Sequence, residues 1–430
     1  MSLRDRLTRL TGDMPKPLST ESRQETISDL RRKIERVMAR RPKTVESPAG
    51  VSHGTPLEHV VAGGQTETPY GSFFVSRSTL RAGDLHGHAR ICDLACASME
   101  ATALIAGCPS AKDMPLSDGL FLDTETTGLV GGTGIFPFLI GLGWFEASSF
   151  VTCQLFARDF SEEGAMLRYF SELASEKRFL VTFNGKAFDL NLLGTRFILN
   201  RCREPLTAMP HIDLLHPSRR VLAHRLENAR LSTIEAQVLG VEREGDIPGF
   251  EIPQRYFDWL RRRDGRLMGD VFMHNRMDVV SMASLLKYLA DLVQESQELG
   301  HSHHSDLLKA AGLIHERGDD EKAGSMLEAL ISSLHRDVST SARRTLSIIY
   351  KKAGRWEEAA SLWQSLLSSD PHDFFAVEEL AKFYEHRTRE YEKALHLVAK
   401  LLNDAPDLDD EERASAEHRL RRLLHKMAPQ

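Results

Sequence analysis

The sequence predicts an α/β domain followed by an all-α repeat domain, and three observations carry that reading. Strand-like and helix-like segments alternate between residues 118 and 295. Residues 305–425 are helical in pattern and contain a repeat. Within the first region four acids, Asp123, Glu125, Asp189 and Asp278, occupy a strand end, a helix start and a helix face.

The elements follow in order. A chain of 430 residues calls for two or three domains. Its 41% apolar and 27% charged content is globular, and no apolar run approaches the roughly 18 residues of a membrane span. The charged start, MSLRDRLTRL, lacks the apolar stretch of a signal peptide, so the expected location is the cytoplasm, with no membrane partner. Five cysteines are too few for a disulfide framework and are expected as thiols. Residues 1–50 hold one basic amphipathic helix, with Ile27, Leu30, Ile34, Val37 and Met38 in a stripe that Pro42 stops, and then a linker. Residues 51–117, with a strand at YGSFFVSRSTL, are expected as an extension packed on the domain that follows. In residues 118–295, strands are expected at 119–125, 136–145 and 150–157, and again at RFLVTFNG and PHIDLL. Helices are expected at SEEGAMLRYFSELASE, at 188–200 and through RMDVVSMASLLKYLADLV. In the last, Val279, Met282, Leu286, Leu289 and Val293 form a core stripe. Leu346, Ser347, Tyr350, Gly354, Ala359, Trp363 and Pro371 then fall at the spacings of a tetratricopeptide repeat, whose period is about 34 residues. Leu380, Ala381, Tyr384, Ala394 and Val398 repeat the series with one residue inserted in the turn, and a fainter copy keeps Gly312 and Ala323.

The chemistry lies in FLDTETTGL. Side chains alternate along a strand, so Phe121, Asp123 and Glu125 share one face and Leu122 and Thr124 the other. Two carboxylates on one spot repel unless they share a proton or a cation. LVTFNGKAFDLNLL adds Asn184 at a strand end, Phe188 and then Asp189 at a helix start; HNRMDVV puts His274 one helical turn before Asp278. An all-oxygen set suits hard cations, Mg2+ or Mn2+, rather than zinc.

At these residues the chain resembles the DEDD (DnaQ-like) 3′→5′ exonucleases. DTET matches their first motif, Asn184 to Asp189 the second, and His274 to Asp278 the third. With the repeats, the arrangement is similar to the YprB family, predicted nucleases with a ribonuclease H-like domain followed by helical repeats. The third motif departs from the pattern. The superfamily has His with four intervening residues or Tyr with three, whereas here His has three, which on a helix is a difference of about 100°.

The resemblance implies a ribonuclease H-like mixed sheet, its first three strands antiparallel, flanked by helices, with a tetratricopeptide-like domain behind it. It implies two divalent cations held by Asp123, Glu125, Asp189 and Asp278, with His274 as a base or as a group that orients water. It implies substrate contacts at Thr126, Asn184, Phe188 and Asn275, with Asn184 orienting substrate or holding its turn. The expected activity is 3′→5′ trimming of single-stranded DNA or RNA. A structure-specific endonuclease shares the same metal cage, and an adaptor that binds nucleic acid and recruits a protein through the repeats is the alternative from another class.

Other features are weighed against plainer readings. Arg219, Arg220, Arg225 and Arg230, with RRRDGR from Arg261, are either a phosphate-binding rim or a solvated face. His86, His88, Cys92 and Cys96 match no closed zinc motif, and HSHH at 301–304 reads as a polar linker. Asp213 reads as a strand-end acid. Tyr350, Trp363 and Tyr384 are core by default, and a protein-binding groove is implied only by resemblance to the repeat family.

Overall fold

The apolar run that ends in Asp123 becomes an interior strand of a seven-stranded mixed sheet in the computed structural model, which describes residues 54–128, 134–294, 303–405 and 408–428. The amphipathic stripe from Ile27 to Met38 lies outside the described residues. The strands are β1 (Gly64–Thr68), β2 (Gly71–Leu80), β3 (Gly119–Thr126), β4 (Pro137–Glu146), β5 (Ser149–Phe156), β6 (Phe179–Thr182) and β7 (His211–Asp213), in the spatial order β1-β2-β5-β4-β3-β6-β7. β3, β4 and β5 form an antiparallel meander, and β6 and β7 run parallel to β3. This is the ribonuclease H-like arrangement of a mixed sheet flanked by helices. The hairpin β1–β2 extends the sheet beyond β5, so residues before the meander are part of the same sheet.

Both faces of β3 are covered. Leu120 and Leu122 join a core with α2 (Glu163–Ser175), α3 (Asp189–Leu199) and α5 (Ile252–Arg262) through Met166, Phe170, Phe197, Tyr256 and Trp259. Phe121 faces the other way, against Phe145, Phe150 and the long helix α6 (Arg266–Gln294). Burial on both faces explains why β4 reads as an unbroken apolar run. Two glycines in β4 let α6 come close. A Cβ on Gly143 would lie 2.5 Å from Val279 Cγ1 and 2.6 Å from the Phe150 ring, and one on Gly141 would lie 2.2 Å from Asn275 Oδ1.

The core around α6 does not stop at the end of the sheet domain. It continues through α4 (Leu215–Leu222) and α7 (His304–Glu316) into α8 (Asp320–Leu330), α9 (Arg336–Lys352), α10 (Trp356–Ser369) and α11 (Phe374–Phe383), with Trp363 fully buried in it. α12 (Tyr391–Asp404) and α13 (Asp410–Met427) finish the array, each helix packing on the one before. The two interhelical turns differ where the sequence has one residue more. The α9–α10 turn passes through Gly354 at φ 79°, whereas α11 widens into a π-helical turn at Tyr384–Thr388 before Arg389 takes the left-handed position at φ 58°. No helix among the described residues is long and apolar enough to cross a membrane.

Two outcomes are expected from this packing. Gly143→Ala should lower the unfolding midpoint, by overpacking worth about 1–3 kcal/mol, and Val279→Ala in the same chain should restore part of it. The π-turn acid Glu385 is buried among Arg419, Arg422 and Lys426. Burial opposes its charge, but the hydrogen bonds from Arg422 and Lys426 outweigh that and push its carboxyl down to about 2. A depressed pKa contributes stability above the ordinary carboxylate pKa of about 4.3 and loses it as the pH falls toward 2. The protection factors of α13 amides, measured against the intrinsic exchange rate at each pH, should therefore fall between pH 4 and pH 2, and Glu385→Gln should already lower them at neutral pH.

Candidate active site

Asp123 is fixed from beneath. The Asn275 amide, fully buried on α6, donates to Asp123 Oδ2 at 2.8 Å. Asn275 Oδ1 in turn accepts from Gln154 Nε2 at 2.8 Å, and Gln154 also donates to the Phe272 carbonyl at 2.8 Å. Asn275 sits opposite Gly141, the residue paired with Asp123 across the strands, where no other side chain would leave it room. The expectation that Asn275 contacts substrate is therefore corrected: a side chain with no solvent exposure and both polar ends engaged inside the protein orients Asp123 instead.

The second group of residues hangs on a loop held by Asp213. Asn184 is in the left-handed region at φ 71°, its N–H donating to Asp213 Oδ1 at 2.8 Å, while the Lys186 N–H donates to Oδ2 at 3.0 Å. Asp213 also accepts from the Leu215 N–H at 3.1 Å, so this buried strand-end acid ties the loop to the start of α4. The loop delivers Asp189 as the first residue of α3, where its Oδ1 accepts from the Thr124 hydroxyl. A cleft of about 650 Å3 opens there, lined by Asp123, Thr126, Asn184, Phe188 and Asp189. Phe188 is 56% exposed at its edge, and the Thr126 hydroxyl donates to the Gly128 carbonyl at 2.7 Å.

The third group lies on α6 with a set of partners that sequence reasoning missed. His274 Nδ1 is 2.8 Å from Asp246 Oδ1, and its Nε2 is 3.6 Å from Asp278 Oδ2. Asp246 is held below the usual carboxylate range because contacts with His274 and Arg243 outweigh its burial. An ionised carboxylate only accepts, so the Nδ1 that faces Asp246 is the nitrogen that donates there. Arg243 contacts Asp278 Oδ1, Asp246 Oδ2 at 3.1 Å, and both oxygens of the buried Glu235 at 2.5 and 2.6 Å. Gln154 and Glu235 carried a signal, each being polar within an apolar run. Arg243 and Asp246 lie in a turn-rich segment with no periodicity and carried none.

Electrostatically the cluster is uneven. Burial first, and then the charges of Asp278 and Asp189, push Asp123 well above its usual range; burial, Asp123 and Asp278 do the same to Glu125. Asp189 is pushed up to about 6, by burial more than by Asp213, although the Thr124 hydroxyl opposes the shift. Repelling oxygen donors with one open side fit a hard divalent cation, which would remove the repulsion.

The remaining expectations fall elsewhere. Arg220 pairs with Glu316 on α7, and Arg219 is exposed on the same helix, α4; neither lines the cleft. Arg225 grips Asp306, Arg261 pairs with Asp258 and Arg266 with Asp264, so much of the basic series has local partners. All five cysteines are free, and the helix near Cys92 is only Ile91–Leu94. His86 Nε2 is engaged by Ser281 Oγ at 2.8 Å. His303 comes together with His224 and Asp306, their ligand atoms within 4.8 Å, but Asp306 is already neutralised by Arg225 at 2.6 Å and bonded to Tyr288. That group is an ionic joint between α4, α6 and α7.

If the cluster is a cation site, Mn2+ should raise the melting temperature over that in EDTA, and Asp123→Asn should abolish the increment. In EDTA that same variant, which keeps an acceptor for Asn275 but removes a repelled charge, should melt a few degrees above the wild type.

Comparison with known proteins agrees with this fold. Residues 120–290 match the model of an RNase H superfamily family, which points to a nuclease-like activity on nucleic acid. The chain is also 36% identical over 321 residues to the uncharacterized protein YprB of Bacillus subtilis (strain 168), an alignment covering 74% of this chain and 77% of that protein. An RNase H superfamily sheet carrying this cluster, continuous with an all-helical array and matched over most of its length by that relative, places the chain in the YprB family.

Proposed function

We propose that the protein is a divalent-metal-dependent nuclease of the DEDD type that trims single-stranded DNA or RNA from the 3′ end. The observation that carries this reading is a crowded set of half-buried carboxylates, of which Asp123 and Asp189 line a cleft. Asp123, Glu125, Asp189 and Asp278 would hold two ions, Mg2+ or Mn2+, which when bound supply positive charge to polarise the phosphodiester and to ease deprotonation of water.

The residues around them have separable roles. Asn275 and Gln154 keep Asp123 in one rotamer, so its oxygens are placed before any ligand arrives. Asp246 holds His274 in the tautomer whose Nε2 accepts the proton of the attacking water. Asn184 holds its turn and borders the cleft, and the exposed Phe188 ring offers a base a face on which to stack. A cleft of about 650 Å3 suits one nucleotide unit at a chain end rather than a duplex, which favours exonuclease over endonuclease action. The helical array we read as tetratricopeptide-like, with a protein partner as its expected ligand, and the protein as cytoplasmic.

The test is incubation of 5′-labelled single-stranded DNA and RNA with the purified protein in Mn2+ and in EDTA. A ladder shortening from the 3′ end in Mn2+ alone, lost in Asp123→Ala, is the expected result. His274→Ala should lower the rate about 10^2 to 10^4-fold, the range of general-base contributions. Fragments cut internally would make the enzyme an endonuclease, intact polymers in every lane despite metal binding by calorimetry would point to a structured substrate, and failure to bind metal would favour the adaptor.

A further inference from the structure

We propose that Arg243 is a built-in cation for the Asp278 side of the cluster, competing there with a divalent ion, so that the site takes one ion tightly and a second only as Arg243 yields. The inference rests on the metal-dependent reading above and adds an unequal occupancy to it.

The geometry carries it. Arg243 is 9% exposed and anchored from outside the cluster by a two-pronged pair with Glu235, whose side chain is 1% exposed. That anchor fixes the guanidinium plane before it meets the site. From it, Nη2 reaches Asp278 Oδ1 and Nη1 reaches Asp246 Oδ2 at 3.1 Å. The other oxygen of Asp278 faces His274 Nε2 at 3.6 Å. Asp278 thus has a positive partner on one oxygen and an imidazole beside the other. An ion ligated by Asp278 has to share a carboxylate with a fixed guanidinium, and like charges in a half-buried place repel strongly. Asp123 and Asp189 have neutral partners instead: Asp123 accepts from Asn275 and Asp189 from Thr124. The four acids therefore form two unlike halves, one open to a divalent ion and one held by the protein's own charge.

Removing Arg243 alone leaves Glu235 buried and unpaired, which risks the fold. The first variant is therefore Arg243→Gln with Glu235→Gln, and the second is Arg243→Lys, which keeps a charge but loses the fork. Mn2+ binding to the full chain, without substrate, is followed by calorimetry and by electron spin resonance of free Mn2+. The wild type should bind one ion tightly and a second weakly. The double variant should bind the second about tenfold or more tightly, with Arg243→Lys between the two. Tighter binding cannot come from a damaged fold, so the sign separates competition from mere support. Unchanged or weaker second-ion binding in both variants overturns the proposal. Asp123→Asn keeps the two hypotheses apart. If it leaves Mn2+ binding intact, the metal-dependent reading fails; if it abolishes the tight ion while the Arg243 variants change nothing, only the competition fails.

Discussion

The hydrogen bond from Asn275 to Asp123 organises much of the molecule. For it to form, α6 must lie directly on the sheet, and it does so because β4 has glycine at the two positions beneath the helix. The amide must also face the right way. Gln154 ensures this by donating to the Asn275 oxygen, leaving the nitrogen for the carboxylate, and Gln154 is in turn held by the Phe272 carbonyl one turn earlier on α6. The buried chain links two strands and a helix, β3 through Asp123, β5 through Gln154 and α6 through Asn275 and Phe272, and paired polar groups of this kind rigidify a core rather than weaken it.

Above that foundation the site is a balance of charge. The sheet brings acids together, which costs stability, and the segment between α4 and α5 answers with one arginine. Arg243 meets Glu235, Asp246 and Asp278 at once, and Asp246 passes the order on to His274. A segment that supplies no ligand of its own thereby sets the orientation of two residues on another element.

How much of this was legible follows from which interactions have a period. Asp123 and Glu125 could be placed together because strands alternate, and His274 with Asp278 because helices repeat every 3.6 residues. The succession of strands and helices along the chain and the helical character of the C-terminal region came from the same two periods, whereas the pairing of the strands into a mixed sheet was implied only by the resemblance. Asn275 was misread because its position beneath β4 depends on which side of α6 meets the sheet, and the glycines that decide this lie far away in sequence. Arg243 and Asp246 act across a loop, where spacing says nothing. The basic residues show the converse: a run of arginines reads equally as a rim or a solvated face, and only the structure pairs Arg225 with Asp306 and Arg220 with Glu316.

α6 is one unbroken helix from Arg266 to Gln294. Its middle carries His274, Asn275 and Asp278, and its later turns share a core with α7 and the helices beyond. Mechanically it is a lever with the candidate site at mid-span and the array at one end. Any load on the array that shifts α6 along the sheet moves three site residues together while Asp123 and Glu125 stay with their strand, so whatever grips the array also holds a handle on the register of the site.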